Sequence, residues 1–175
     1  MKRVKVSKQF RDYMRRMKTY VGRENPLAMM KAAPNQLARA VAGLRPAQLR
    51  RRPRPGKWSI GEIVNHLADT EITYGYRIRS MLAESGCAIV AYDQDGWNRV
   101  AGRARRPMGA LLEQIRVLRR SNLELLKSVP RPWWNRYGWH TERGREPVSR
   151  MVVLLAGHDV NHRNQIRAIR KQFGW

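Results

Sequence analysis

The sequence predicts an all-α domain organised as a four-helix bundle. In four long segments apolar residues recur every three or four positions, the period of an α-helix with one buried face. Strict alternation of apolar and polar residues, which would indicate strands, is scarce. With 175 residues, of which 42% are hydrophobic, the chain can form one domain with a sizeable core. Bundles of this kind build their sites from inward-facing side chains.

A short basic extension, residues 1–24, precedes the predicted bundle domain, residues 25–175. Because the extension is mildly amphipathic, we expect a short helix that either packs on the bundle or stays loose. Its apolar positions are Val4, Phe10, Met14, Met17 and Val21.

The first two bundle helices are expected from Asn25 onward and from Ser59 to about Glu84. Pro34 either kinks the first helix or begins its regular part. The proline-rich segment from Arg45 to Trp58 is predicted to be an extended connection. Ser59 and Glu62 have the spacing of a capping box, in which each side chain binds the other residue's backbone amide.

The third and fourth helices are predicted over Pro107 to Val129 and from Pro147 to about Phe173. Leucine and isoleucine recur at helical spacing in the third, from Leu111 to Leu126. A loop from Ser85 to Asp95 and a connection from Pro130 to Pro147 complete the expected chain path.

Two histidines on the fourth helix predict a metal site. His158 and His162 are four residues apart, so their rings lie on one side of the helix, on its apolar stripe. Burying two such rings is costly unless each is hydrogen-bonded or bound to a metal ion. His66 is the best third ligand, because it lies beside the stripe of the second helix, and His140 is the reserve. The alternative is one core histidine and one surface histidine.

Four segments carry a likeness to a known family: Trp58–Asp69, Tyr92–Trp97, Gly138–Gly144 and His158–Ile166. They resemble the DinB-like superfamily of damage-inducible, metal-dependent bacterial proteins. This superfamily includes thiol S-transferases similar to bacillithiol transferase, and it is distinct from the DNA polymerase of the same name. The resemblance implies an up-down-down-up type four-helix bundle, commonly a homodimer. It also implies that His66, His158 and His162 hold one divalent metal ion, such as Ni, Zn or Mn. The likeness extends from about Asn25 to Phe173.

The function implied by this resemblance is that of a metal-dependent enzyme acting on a small molecule, either a thiol-dependent S-transferase or a hydrolase. In the transferase branch a low-molecular-weight thiol loses its proton at the metal and attacks an electrophile, as part of a stress response. Asp69 and Asp159 are candidates to orient a ligand ring or to balance the charge of the ion. Gln165, on the same face as His162, is a candidate to support this site by contacting a bound ligand. The alternatives are surface ion pairs for the two carboxylates and a helix-packing contact for Gln165. No residue is singled out as catalytic.

The net charge of +23, from 36 basic and 13 acidic residues, supports a second hypothesis. Such a chain attracts polyanions at low salt. The alternative function is therefore a basic helical binding module that contacts nucleic acid or another polyanion, with a structural or vestigial metal site. Arg50, Arg51, Arg52 and Lys57 are its candidate contacts. A third possibility is a family member that has lost activity but kept the fold.

The single cysteine, Cys87, excludes an internal disulfide and fits a reducing compartment. No apolar run approaches the roughly 20 residues of a membrane span. The basic N-terminus lacks the apolar segment of a secretory signal. We therefore expect a cytoplasmic protein.

Overall fold

The computed structural model describes residues 6–104 and 106–175. They form a bundle of four long helices, to which three smaller α-helices, one 3-10 helix and a small sheet are attached. The predicted four-helix bundle is confirmed. In chain order the elements are α1 (Lys8–Val21), α2 (Pro26–Val41), α3 (Pro46–Arg50), α4 (Ile60–Ala83), β1 (Cys87–Ile89), α5 (Gln94–Ala104), α6 (Met108–Ser128), a 3-10 helix (Arg131–Asn135), β2 (Tyr137–His140), β3 (Gly144–Pro147) and α7 (Val148–Phe173).

The bundle consists of α2, α4, α6 and α7. Helix α2 packs against α6 and α7, and α4 packs against the same two helices from the other side. The core has two apolar clusters, one containing Met151 and Leu155 of α7 and the other containing Ile166 of the same helix. The predicted histidine pair of α7 therefore lies between the two clusters.

The capping box at the start of α4 has the predicted form. The Ser59 hydroxyl accepts a hydrogen bond from the Glu62 amide (3.3 Å), and the Glu62 carboxylate accepts one from the Ser59 amide (2.7 Å). Each bond satisfies an amide that the helix itself leaves unpaired. This cap fixes the start of the helix that carries His66 two turns later.

Helix α1 packs along α7, so the N-terminal extension is not loose where the structure describes it. Met17 is completely buried. A β-carbon built on Gly157 of α7 would lie 2.5 Å from the Met17 carbonyl oxygen, so only glycine lets the two backbones approach this closely. Val4 of the predicted apolar stripe lies outside the described residues.

Three segments predicted to be connections contain regular structure. The segment from Arg45 to Trp58 includes the short helix α3, and the loop from Ser85 to Asp95 includes β1 and leads into α5. The connection from Pro130 to Pro147 contains β2 and β3. Strand β2 pairs with β1 in parallel and with β3 antiparallel. These strands are three or four residues long, too short for apolar alternation to be visible in the sequence.

No helix in the described part of the chain is both long enough and apolar enough to cross a lipid bilayer.

Candidate metal centre

His66, His158 and His162 come together in the structure, as the sequence predicts. The Nε2 atom of His158 lies 3.0 Å from Nε2 of His66 and 3.0 Å from Nε2 of His162. All three side chains are buried. Helix α4 supplies the first ring and α7 the other two, so the cluster joins two helices that contact each other in the bundle.

Burial keeps this cluster uncharged. Removal from water lowers the pKa of His66 to about 3 and that of His162 to about 4. The pKa of His158 also falls well below its ordinary value, first through burial and then through the two neighbouring rings. Neutral imidazole is the form that binds metal ions. Burial therefore keeps all three rings able to bind a metal ion at neutral and mildly acidic pH.

Gln165 fixes the tautomer of His162. The Gln165 side-chain oxygen lies 2.7 Å from Nδ1 of His162. An amide oxygen can only accept, so Nδ1 carries the proton and Nε2 presents a lone pair toward His158. Gln165 thus contacts a histidine of the cluster, and its predicted contact with a bound ligand stays a prediction. A partner of this kind holds a ligand ring in orientation and raises its basicity.

The arrangement fits a divalent ion. Two nitrogens that each lie about 2.1 Å from one ion, at angles between about 90° and 109°, are about 3.0 to 3.4 Å apart. The observed separations of 3.0 Å fall within that range. Three nitrogen lone pairs facing one another in a buried space repel unless a cation or shared protons lie between them. The three ligand atoms together form a group capable of holding a metal ion.

Trp58 covers the outer side of the cluster. Its ring centre lies 4.9 Å from that of His66 and 6.4 Å from that of His162, almost parallel to the latter. The indole nitrogen donates a hydrogen bond to the Asp95 carboxylate (2.8 Å), which ties this cover to α5. The sequence reasoning did not assign a site role to this tryptophan, although it stands in the segment that carries the family resemblance.

Asp69 and Asp159 do not hydrogen-bond to the histidine rings. The Asp69 carboxylate accepts a hydrogen bond from the Asn65 amide (3.0 Å). Asp159 is buried and accepts hydrogen bonds from Nη1 and Nη2 of Arg119, at 2.7 and 3.1 Å. The ion-pair alternative is thus present for Asp159, but in the core rather than on the surface.

Arg119 is a buried residue that the sequence reasoning missed. Its guanidinium also pairs with Glu71 of α4 and donates to the Met30 carbonyl oxygen of α2 (2.9 Å). Burial acts to lower the pKa of Arg119, but the charges of Asp159 and Glu71 raise it above its ordinary value. The network therefore ties four helices together beside His158.

A cavity of about 570 Å³ opens onto His66 and His158. Its walls come from α1, α4, the chain around Tyr92, and the turn between β2 and β3. Phe10 and Tyr13 of α1 form part of the wall, so the N-terminal extension contributes directly to the site. This volume suits a small organic molecule.

His140, the reserve ligand, is not part of the histidine cluster but lines the same cavity. The Glu142 amide donates a hydrogen bond to its Nδ1 atom (3.1 Å). Nδ1 therefore holds a lone pair, and Nε2 carries the proton of the neutral ring. His140 can thus donate one hydrogen bond to a molecule in the cavity.

The predicted polyanion contacts are exposed, but two of them are engaged locally. Arg51 stacks on the Phe173 ring, with 4.2 Å from its guanidinium carbon to the ring centre. Arg52 forms an ion pair with Glu62, in which its Nε donates at 3.0 Å. Arg50 and Lys57 are exposed on either side of these residues.

A buried three-histidine cluster on two helices of a four-helix bundle defines a class of candidate metalloproteins, and comparison with known proteins identifies the family within it. Residues 29–166 match the model of the DinB superfamily. The chain therefore belongs to the DinB superfamily.

Curated relatives carry names that place them among candidate metal-dependent hydrolases. One from Geobacillus kaustophilus is 27% identical over 154 residues, covering 85% of this chain and 84% of its own length. One from Geobacillus thermodenitrificans is 28% identical over 150 residues, with the same coverage. Among solved structures, YfiT from Bacillus subtilis, described as a candidate metal-dependent hydrolase with an unusual four-helix bundle topology, superposes with a TM-score of 0.81. It covers 100% of this chain and 94% of its own, at 22% identity, and supports the fold alone.

Proposed function

We propose that this protein is a metal-dependent hydrolase of a small organic substrate, with His66, His158 and His162 as the metal ligands. The observation that carries the proposal is the convergence of three buried Nε2 atoms beside a cavity of about 570 Å³. The names of the curated relatives support the same reaction class.

A divalent ion held by three neutral imidazoles keeps its full charge and has free positions, so it lowers the pKa of bound water and polarises a carbonyl oxygen. The protein's own residues position this chemistry. Gln165 keeps the lone pair of His162 directed into the cluster. Trp58 covers two of the rings against solvent. The cavity binds the substrate on the side where His66 and His158 are accessible.

Thiol S-transfer is the second form of the proposal, because the same ion would lower the pKa of a bound thiol. Cys87, with its pKa raised first by burial and then by Glu84, is not suited to supply that thiol itself. A low-molecular-weight thiol would therefore be a substrate. Reaction with an electrophile in the presence and absence of that thiol distinguishes transfer from hydrolysis.

The decisive experiment measures the metal content of purified protein by elemental analysis. We expect about one equivalent of Ni, Zn or Mn per chain after growth in ample metal. His66→Ala and His158→Ala should each remove it, and His140→Ala, in the same cavity but outside the cluster, should keep it. Metal-free wild-type protein with a native circular dichroism spectrum would refute the proposal, as would equal loss of metal in His140→Ala.

The homodimer stays a prediction that light scattering in solution tests.

A further inference from the structure

The end of the cavity away from the histidine cluster is lined by basic side chains. Arg77 of α4 and Arg143, in the turn between β2 and β3, both contribute to its wall, together with His140. None of these residues belongs to the group that could hold a metal ion. Metal binding therefore does not explain why these basic side chains line the cavity.

Arg77 lies on the same face of α4 as His66. The two residues are eleven positions apart, which is close to three full turns and about 16 Å along the helix axis. Thr70 and Tyr74, at intermediate turns, also line the cavity. The cavity thus extends along one face of α4, with the candidate metal ligand near one end and a guanidinium near the other.

The Arg77 guanidinium is buried without a carboxylate partner. Only 6% of the residue is exposed. Its Nη2 donates to the Val90 carbonyl oxygen (2.7 Å), and its guanidinium carbon lies 5.8 Å from the centre of the Tyr92 ring. No salt bridge joins it to an acidic residue within residues 6–104 and 106–175. A buried cation of this kind is costly unless an anion compensates it.

Arg143 and His140 provide further donors at this end. The Nε of Arg143 lies 3.1 Å from the Glu146 carboxylate, and its guanidinium carbon lies 5.2 Å from the centre of the Phe10 ring. The pKa of His140 is lowered to about 3, first by burial and then by the charges of Arg143 and Arg77. All three side chains line this cavity, and His140 is a neutral donor through Nε2.

The acidic residues nearby leave this end positive. Glu146, completely buried beside Arg143, is one carboxylate against two guanidinium groups. Asp12 and Glu142 also line the cavity. Asp12 is paired with Lys8 and Arg15, and Glu142 is exposed to solvent. Arg77 therefore has an unmet preference for an oxyanion.

We propose that Arg77, Arg143 and His140 form a recognition site for a carboxylate or similar oxyanion group of the substrate. This inference rests on the proposed function, since it assigns a substrate class to the same cavity. The substrate is an elongated acidic molecule, whose anionic end binds the two guanidinium groups while its reactive group reaches the histidine cluster. Guanidinium pairs with carboxylates through two parallel hydrogen bonds, which gives direction as well as affinity. The aromatic walls, Phe10, Tyr13, Tyr74 and Tyr92, favour an apolar or flat middle portion.

The test compares charged ligands with neutral ligands of the same shape. The probes are phenylacetate, phenylpropionate and phenylbutyrate, each paired with its neutral amide, titrated calorimetrically at physiological salt into the full-length protein. At least one carboxylate should bind about tenfold or more tightly than its amide, since a hydrogen bond to a charged group contributes this much. Arg77→Gln and Arg143→Gln should each remove that preference while amide binding is unchanged. Arg120→Gln, on the exposed face of α6, is the matched control and should change neither.

Each outcome bears on the proposal. Equal binding of every acid and its amide to the wild-type protein overturns it, and this comparison needs no variant to fold. Equal loss of affinity in Arg120→Gln overturns it as well, because the preference would then reflect the overall charge of +23. Metal content is measured on the same preparations. Carboxylate preference in protein without metal supports the anion site and refutes the metal proposal. Bound metal without that preference supports the metal proposal and refutes the anion site.

Discussion

Replacement of Gln165 tests the tautomer that the structure assigns to His162. The Gln165 oxygen, 2.7 Å from Nδ1, holds the proton there and leaves Nε2 free for a metal ion. Loss of a partner of this kind lowers metal affinity by about 10- to 100-fold, or about 1.4 to 2.7 kcal/mol. Gln165 is exposed, so water replaces part of the lost bond in Gln165→Ala. We therefore expect the lower end, about tenfold weaker binding.

Gln165→Glu should have the opposite effect. A carboxylate at this position accepts the same hydrogen bond with a full negative charge, which raises the basicity of the imidazole. Metal affinity should then equal or exceed that of the wild-type protein. Because the side chain is exposed, both variants should unfold within about 0.5 kcal/mol of the wild-type free energy.

The assay is competition of metal-stripped protein with a chromogenic chelator for Zn or Ni. Asn164→Ala, also exposed and next to Gln165 in sequence, is the control and should bind like the wild-type protein. If Gln165→Ala binds metal as tightly as Asn164→Ala, the hydrogen bond to Nδ1 does not organise the site. Weaker binding in Gln165→Glu than in Gln165→Ala would also refute the reasoning.

Three further predictions concern the scaffold and the charge. Arg119→Met leaves Glu71 and Asp159 buried without their cation and should lower the free energy of unfolding by about 3 to 5 kcal/mol in chemical denaturation; a loss below about 1 kcal/mol would contradict the ion-pair network. Gly157→Ala places a methyl group 2.5 Å from the Met17 carbonyl oxygen and should cost about 1 to 3 kcal/mol, with weaker binding of cavity ligands; wild-type stability would mean that α1 is not held there. Binding to labelled DNA oligonucleotides should fall steeply with salt and ignore base sequence, and sequence preference at physiological salt would instead favour the binding-module hypothesis.

The helices of the bundle were predictable because their apolar residues follow the helical period over many turns. The pair His158 and His162 was visible for the same reason, since four residues make about one turn. That His66 meets them was predicted from its place beside the apolar stripe of the second helix and was also implied by the family resemblance. No spacing rule by itself brings residues 92 positions apart into contact. Part of the polar lining of the cavity comes from a short turn and from α1, for which local sequence patterns give no position.

Two features of the structure did not follow from the sequence patterns: the helix on which α1 packs, and the burial of Arg119. The apolar positions of α1, including Met17 and Val21, follow helical spacing and indicate a packed face, but not which helix it meets. The contact became possible through Gly157, whose role depends on a neighbour 140 positions away. Arg119 follows Leu118 on α6, and an arginine is ordinarily expected at the surface. Its hydrogen-bond partners nevertheless come from three other helices of the bundle. A charged residue on a helix indicates an exposed position only when the neighbouring helices place no oppositely charged side chain beside it.

The net charge of +23 is therefore a poor guide to where the basic residues act. The run Arg50–Arg52, which is most prominent in the sequence, is exposed and partly engaged with Glu62 and Phe173. Isolated arginines in mixed sequence have the more specific surroundings. Arg119 lies between two buried carboxylates, whereas Arg77 lines a cavity and forms no salt bridge within the described residues. Burial makes the difference, because a guanidinium removed from water needs an anion far more than an exposed one does. The basic residues most relevant to function are therefore the few buried ones. Their opposite charge must come from a carboxylate of the protein or from a bound ligand.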